Sequence, residues 1–279
     1  MPDLSGKVAI VTGAGRKRGI GRAIALRLAQ DGADVVVGAS VRDPSTFPEH
    51  ERAEGWRGIA SVAEEIRAMG RRALAIDCDV TVKTQVEEMV ARTVAELGSV
   101  DILINNAALP SEAGQANIIT MADEVWYRTV DVNLNGLYLV TKACAREMVK
   151  AGRGGSVVNI SSTAGRIGIP DYGAYCATKW GMIGFTQQLA LELAPHGIRV
   201  NCTCPGSTDT DMMDGTFRRT AEKFGIDPGA PKQGAISRIP LRRQGRPADQ
   251  AAAVAFLCGD DAAYITGQTL NVDGGLNMA

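Results

Sequence analysis

The sequence predicts an α/β protein built on a single doubly wound parallel sheet of about seven strands, with helices on both faces. Three observations predict it. Short apolar runs alternate with stretches of helical periodicity along the whole chain. The first run, Lys7–Thr12 (KVAIVT), ends in a glycine cluster, as a buried parallel strand does where it turns into a helix. No composition break, linker or internal repeat interrupts the 279 residues, so the chain reads as one domain over residues 1–279.

The elements follow in order. After the first strand, Ile20–Ala29 has apolar residues at helical spacing and stops at Asp31-Gly32. Val35–Val37 is a second buried strand. Ser61–Met69 is helical and ends at Gly70, and Ala73–Ile76 is a third strand. Val82–Leu97 is an amphipathic helix ending at Gly98, and Ile102–Ile104 is the fourth strand. A long helical stretch covers Asp123–Lys150, followed by a fifth strand at Ser156–Ile160 and a helix through Tyr175–Ala194. Arg199–Cys204 is a sixth strand, Ala248–Leu257 a helix and Thr269–Val272 a last short strand. Two stretches break the rhythm. Arg42–Gly58, rich in Pro, Glu and Arg, lengthens the second connection, and Ser207–Gly245 reads as a long irregular stretch. Both begin at strand carboxyl ends, where such sheets bind ligands, so both are expected to border a site.

Composition excludes several classes. Lysine plus arginine total 30 against 31 acidic residues, a net charge of -1, which argues against a nucleic-acid partner. The first residues, Met1-Pro2-Asp3-Leu4-Ser5-Gly6-Lys7, carry no apolar signal segment, and the longest apolar runs fall far short of the ~18 residues a membrane span requires. The six cysteines form no C-x-x-C pair, and His50 and His196 lie far from Cys202-Thr203-Cys204 in sequence. The expectation is therefore free thiols in the cytoplasm and no metal site.

Two constellations carry chemistry. Thr12-Gly13-Ala14-Gly15-Arg16-Lys17-Arg18-Gly19-Ile20-Gly21 lies between a strand and a helix. Glycines there permit a tight turn and close backbone approach, and the helix start offers N–H groups to a pyrophosphate. It is not a Walker A loop, since no Lys-Ser/Thr follows the last glycine. Further on, Tyr175 and Lys179 are spaced i, i+4 on one helical face. A tyrosine titrates near ~10, and a neighbouring ammonium is expected to lower that value toward the range useful for acid–base work. Ser162, thirteen residues upstream of Tyr175, lies at the carboxyl end of the fifth strand and faces the same crevice. There is no G-x-S-x-G elbow and no suitable histidine, so a Ser-His-Asp hydrolase is not indicated.

With these in place the chain resembles the short-chain dehydrogenase/reductase family over nearly its whole length, including members of the 3-oxoacyl reductase kind. The matches are the glycine turn, Asp79-Val80-Thr81, Asn105-Asn106-Ala107-Ala108, Asn133 in Val132-Asn133-Leu134-Asn135-Gly136, Ser162 and Tyr175-Cys176-Ala177-Thr178-Lys179. Pro205-Gly206-Ser207-Thr208-Asp209-Thr210 and the ending Ile265–Gly275 complete the set. The resemblance implies a Rossmann-type fold and hydride exchange between a nicotinamide cofactor and a ketone or secondary alcohol. Tyr175 is then the acid–base, and Lys179 tunes it and holds the nicotinamide ribose. Ser162 binds the reacting oxygen, and Asn133 holds a water in a proton relay. The implied cofactor residues are Gly13, Arg18, Gly19, Ile20 and Gly21 of the turn, Ser40 and Arg42 beyond the second strand, and Asp79 and Val80 at the adenine. Asn106 and Ala107 line the cleft, Tyr175 and Lys179 reach the ribose, and Thr208 and Thr210 fix the carboxamide. A cofactor-binding regulatory member of the same fold without turnover is the alternative, and a nucleic-acid protein using Arg16–Arg18 a weaker one.

Three departures from the family pattern stand out. The glycine turn has two extra residues between Gly13 and Gly19, Ala108 stands where the family usually has glycine, and Arg42–Gly58 is long. For Phe47, His50 and Trp56 of that segment the readings are a cover over the adenosine, a reach to a neighbouring subunit or a structural role, and the structural role is the leading one. NADP is expected over NAD, with NAD still possible. Val35–Ser40 has no carboxylate, Ala39 stands where NAD-specific proteins place one, and Arg18 and Arg42 suit a phosphate. The substrate pocket is expected near Leu109, Ile169, Met212, Met213 and Phe217, beneath a lid at Ser207–Gly245. A homotetramer paired through Val132–Met148 and Tyr175–Leu193 is expected from the family and from the apolar faces of these helices.

Overall fold

A computed structural model describes residues 2–109 and 117–278 of the protein. Seven strands form one sheet: β1 Val8–Thr12, β2 Asp34–Ala39, β3 Ala73–Asp77, β4 Ile102–Asn105, β5 Gly155–Ile160, β6 Ile198–Pro205 and β7 Thr269–Val272. Their order is β3-β2-β1-β4-β5-β6-β7 and every pairing is parallel. The order reverses between β1 and β4, so their carboxyl ends open the crevice that doubly wound sheets use for ligands.

Burial explains why the strands read as unbroken apolar runs. All five residues of β1 are buried, because helices cover both faces of the sheet. Ala9 and Val11 join one core with Ile24 and Leu28 of helix α1 (Ile20–Gln30), Val62 and Ile66 of α3 (Ile59–Ala68), and Val254 of α10 (Pro247–Cys258). Val8 and Ile10 point the other way. They pack with Met89 of α4 (Lys83–Leu97), Val140 and Cys144 of α6 (Gly136–Ala151), and Leu189 of α7 (Gly173–Leu193). The alternation follows from the two-residue period of a strand. The long helical stretch after β4 comprises α5 (Asp123–Val130), a π-helical turn at Asp131–Asn135, and α6.

The two stretches that break the sequence rhythm are more regular than expected. Arg42–Gly58 holds a 3₁₀ turn (Pro44–Thr46) and a short helix α2 (Glu49–Ala53). The segment 207–245 is not irregular but carries α8 (Asp211–Phe224) and α9 (Ala230–Arg238). Thr210 caps α8 by accepting from the Met213 N–H, Asp211 and Asp214 sit in its first turn, and Phe217 and Ala221 are buried beneath it. The prolines that suggested breaks punctuate the helices instead. Pro228 lies between them, Pro231 stands in the first turn of α9 where a missing N–H costs nothing, and Pro240 follows its end.

Candidate active site

The glycine turn after β1 is built for close approach. Gly13 has φ +70°, and a Cβ there would lie 2.7 Å from the Cα of Ala107. A Cβ on Gly21 would lie 2.5 Å from the Asn106 Nδ2. Only glycine fits either position. Thr12 and Asn106 stitch the ends of β1 and β4 together. The Thr12 Oγ1 accepts from the backbone N–H groups of Asn106 and Ala107, both at 3.1 Å. The Asn106 amide donates to the carbonyls of Thr12 and Gly13 at 2.9 and 3.0 Å. Asn106 thus shapes the turn from behind, a positioning role the sequence reading did not separate from lining the cleft. Gly19 caps α1 without a side-chain hydrogen bond, and the first turn, with Ile20 and Gly21, holds no carboxylate. A helix start bare of side-chain acceptors, above a cradle that any Cβ would fill, fits the pyrophosphate of a dinucleotide.

Along the crevice, Val80 is buried against Gly136, where a Cβ would come within 2.6 Å of the Val80 Cγ2. The Asp79 carboxylate accepts from the Thr81 N–H at 2.9 Å and hydroxyl at 2.7 Å, which fixes the turn after β3. The implied adenine side is therefore preformed.

The catalytic candidates converge at the carboxyl end of β5. Ser162 accepts from the Ala164 N–H at 3.1 Å, capping the 3₁₀ turn Thr163–Gly165, and its hydroxyl lies close enough to the Tyr175 phenol to favour the phenolate. Lys179, one turn along α7, is 2% exposed and donates to the Ile160 carbonyl at 2.8 Å. Its Nζ lies 5.5 Å from the centroid of the Tyr175 ring. Asn133 is fully buried in the π-helical turn; it accepts from the Leu109 N–H at 2.8 Å and donates to the Thr178 hydroxyl at 3.2 Å. Thr178 in turn donates to the Tyr175 carbonyl at 2.8 Å. The extra residue of a π turn re-aims a side chain, and such turns gather at functional sites.

In the free protein, enclosure pushes the Tyr175 phenol up to about 12, and Ser162 acts against that rise. The Lys179 ammonium is turned toward the Ile160 carbonyl. Burial also pulls Lys179 down to about 8, so this lysine stays protonated at neutral pH but gives up its proton far more readily than a free one.

The remaining residues divide. Thr208 is buried, donates to the Gly206 carbonyl and accepts from Gln250 at 3.3 Å, while the Thr210 hydroxyl is spent on the α8 cap. Ser40 and Arg42 are exposed just beyond β2. Arg18 points to the start of α8: its guanidinium donates to Asp209 at 2.9 Å, Asp211 at 3.1 Å and Asp214 at 2.8 Å. Of the pocket candidates, Leu109 meets Asn133, Phe217 is buried under α8 and Met212 is 44% exposed. Sequence reading missed a buried polar network below the site. Asn105 donates to Thr141 and Asn159, and Asn159 donates to Thr186, each at 2.9 Å. Its signal was present: asparagine is a poor strand residue, and two of them pair in register near the carboxyl ends of β4 and β5.

Comparison with known proteins gives the arrangement a context. Residues 13–277 match a family model described as enoyl-(acyl carrier protein) reductase. L-rhamnose 1-dehydrogenase (NAD(P)(+)) of Azotobacter vinelandii is 39% identical over 97% of this chain and 96% of its own. A 3-oxoacyl-[acyl-carrier-protein] reductase of Staphylococcus aureus is 37% identical over 98% of each chain. Among solved structures, NAD+-bound xylitol dehydrogenase superposes with a TM-score of 0.86 at 33% identity, covering 98% of this chain and 99% of that one. An actinorhodin polyketide ketoreductase with NADPH superposes with a TM-score of 0.85 at 37% identity, covering 97% of both. These relatives are dehydrogenases and reductases, so the non-catalytic alternative gives way. The glycine cradle and crevice, matched along nearly the full length of such enzymes, mean that the chain belongs to the short-chain dehydrogenase/reductase family and is an NAD(P)-dependent oxidoreductase.

Proposed function

We propose that the protein interconverts a ketone and a secondary alcohol with Tyr175 as the acid–base, and that it prefers NADP(H) while still accepting NAD(H). The observation that carries the reading is the Ser162–Tyr175–Lys179 cluster at the carboxyl end of β5. The bound cofactor supplies or accepts the hydride. In reduction the Tyr175 hydroxyl, held protonated by burial, gives its proton to the carbonyl oxygen, and Ser162 holds that oxygen by a second hydrogen bond. Lys179, with its proton loosely held, returns a proton to Tyr175 and meets the nicotinamide ribose. Asn133 anchors the Leu109 backbone and, through Thr178, the start of α7; with a water it links Lys179 to solvent. Tyr175→Phe is expected to retain cofactor affinity and to lose about 10²–10⁴-fold in kcat, the range of a lost general acid. Steady-state kinetics beside cofactor titration test this, and near-normal turnover in Tyr175→Phe overturns it.

The substrate class follows the relatives, whose names span sugars, polyols and 3-oxoacyl thioesters. All present a secondary alcohol or its ketone, and a carbonyl of medium size is the common denominator. The NADP preference rests on Ala39, which places no carboxylate at the end of β2, and on Arg42 just beyond it. One catalytic domain with a lid at 207–245, assembled as a homotetramer in the cytoplasm, completes the reading. It is supported by free thiols at all six cysteines and by aromatic side chains left exposed on α5, α6 and α7. Among the described residues no helix is long and apolar enough to cross a membrane.

A further inference from the structure

The segment after β2 contains a cleft away from the Ser162–Tyr175–Lys179 cluster. Its volume is about 520 Å³, and its walls include Arg42, Arg52 and Arg57 together with Phe47 and Trp56. Three guanidiniums line it, and no carboxylate does. Of the acidic groups of the same segment, Glu49 is not part of the lining, and Glu51, Glu54 and Asp43 are engaged elsewhere. Glu51 accepts from Arg16 and from the Lys17 N–H, Glu54 pairs with Lys17, and Asp43 caps the Ser45 N–H. Arg57 has Glu64 as partner, whereas Arg52 pairs with no carboxylate among the described residues. Such a lining selects a compact polyanion.

Position narrows the ligand. The cleft begins shortly beyond Ala39, the end of β2, where this fold places the ribose 2′-hydroxyl of a bound dinucleotide. Its floor is fastened to the phosphate-binding turn, because the indole Nε1 of Trp56 donates to the Gly15 carbonyl at 2.8 Å. Arg18, the turn residue expected to meet a 2′-phosphate, is held by Asp209, Asp211 and Asp214. We propose that the 2′-phosphate of NADP(H) is received in this cleft, with Arg52 as the specificity-determining guanidinium that the insertion adds beside Arg42. The inference rests on the NADP reading above and assigns it to a residue of the insertion.

Isothermal titration with adenosine 2′,5′-bisphosphate and with AMP separates the two. The protein is expected to bind the bisphosphate at least about tenfold more tightly than AMP, and Arg52→Ala to remove most of that ratio, with Arg52→Lys between them. The ratio of kcat/KM for NADPH over NADH should fall in parallel. A tenfold preference that survives intact in Arg52→Ala overturns the assignment to Arg52 and leaves the NADP reading standing. A protein that binds both nucleotides equally and favours NADH overturns the NADP reading and this inference with it.

Discussion

Lys179 shows how one side chain carries opposing demands. At 2% exposure its ammonium has left water for a single carbonyl partner, and burial has moved its pKa from 10.5 to about 8. A lysine whose folded pKa is depressed penalises the fold while both states are protonated, below about 8, and the penalty fades as pH rises toward the unfolded value. The shift corresponds to a penalty on the order of 3 kcal/mol at neutral pH. Lys179→Met is therefore expected to abolish turnover yet raise the denaturation midpoint at pH 7, with the gain shrinking between pH 8 and pH 10. Urea melts at several pH values check this, and a destabilised Lys179→Met at pH 7 contradicts it. The Tyr175–Lys179 pair was legible because i, i+4 spacing puts two side chains on one helical face. The direction of the tyrosine shift was not, because it depends on how closely β5, β6 and α7 enclose the phenol.

At the scale of elements, the two departures from the family pattern turn out to be one unit. The extended glycine turn and the insertion after β2 grip each other. Glu51, fully buried, accepts from the Lys17 N–H at 2.7 Å and from the Arg16 guanidinium at 3.1 Å. Arg16 lies over the Phe47 ring and Arg22 over Trp56. The sequence placed Arg16–Arg18 on a phosphate-binding turn and assigned Arg18 to a phosphate. It could not show that each has a protein partner, because those partners lie tens to nearly two hundred residues away. Glu51→Ala leaves a buried N–H without an acceptor and is expected to cost about 1–3 kcal/mol. The same change should weaken cofactor binding while leaving kcat at saturation close to normal, since the catalytic cluster is on the other side of the crevice. A large fall in kcat at saturating cofactor speaks against this division of roles.

The segment 207–245, too, was legible in place but not in form. It follows β6 as expected, while its prolines disguised two helices. α8 is held at both ends: Arg18 grips Asp209, Asp211 and Asp214 at its start, and Lys223 near its end pairs with Asp171 at 2.7 Å, just before α7. His50 of the insertion adds a 3.5 Å contact to Asp211. These pairs are partly exposed, so each contributes modestly and is weakened by salt. Arg18→Ala is expected to speed proteolytic cleavage within 207–224 several-fold at low salt, with the difference narrowing at high salt. Equal cleavage rates in both proteins at low salt remove the case for a clasp.

On the scale of the whole molecule, alternation of apolar runs was enough to give the sheet, because a strand covered on both faces must be apolar throughout. What alternation cannot give is the outer surface, where any pairing between copies of the chain would be decided. α7 is apolar on more than its sheet-facing side: Trp180 is 51% and Leu191 80% exposed, and Tyr138 of α6 is 45% exposed. Gly184 lies on the stripe with Trp180 and Leu191 at helical spacing, and a Cβ there would meet nothing within 4 Å. A bare glycine on an apolar helical stripe lets a second helix approach closely, and a two-fold pairing would place the same stripe on both partners. Gly184→Arg therefore separates fold from assembly. Within the subunit the arginine side chain has open space and the helix gains about 0.5–1 kcal/mol in propensity over glycine. Across a close interface it brings two like charges together. The unmodified protein is expected to sediment as a tetramer at micromolar concentration and Gly184→Arg as a smaller species with an unchanged far-UV spectrum. A tetramer that persists in Gly184→Arg excludes this face from the interface, and a monomer in the unmodified protein refutes the assembly itself.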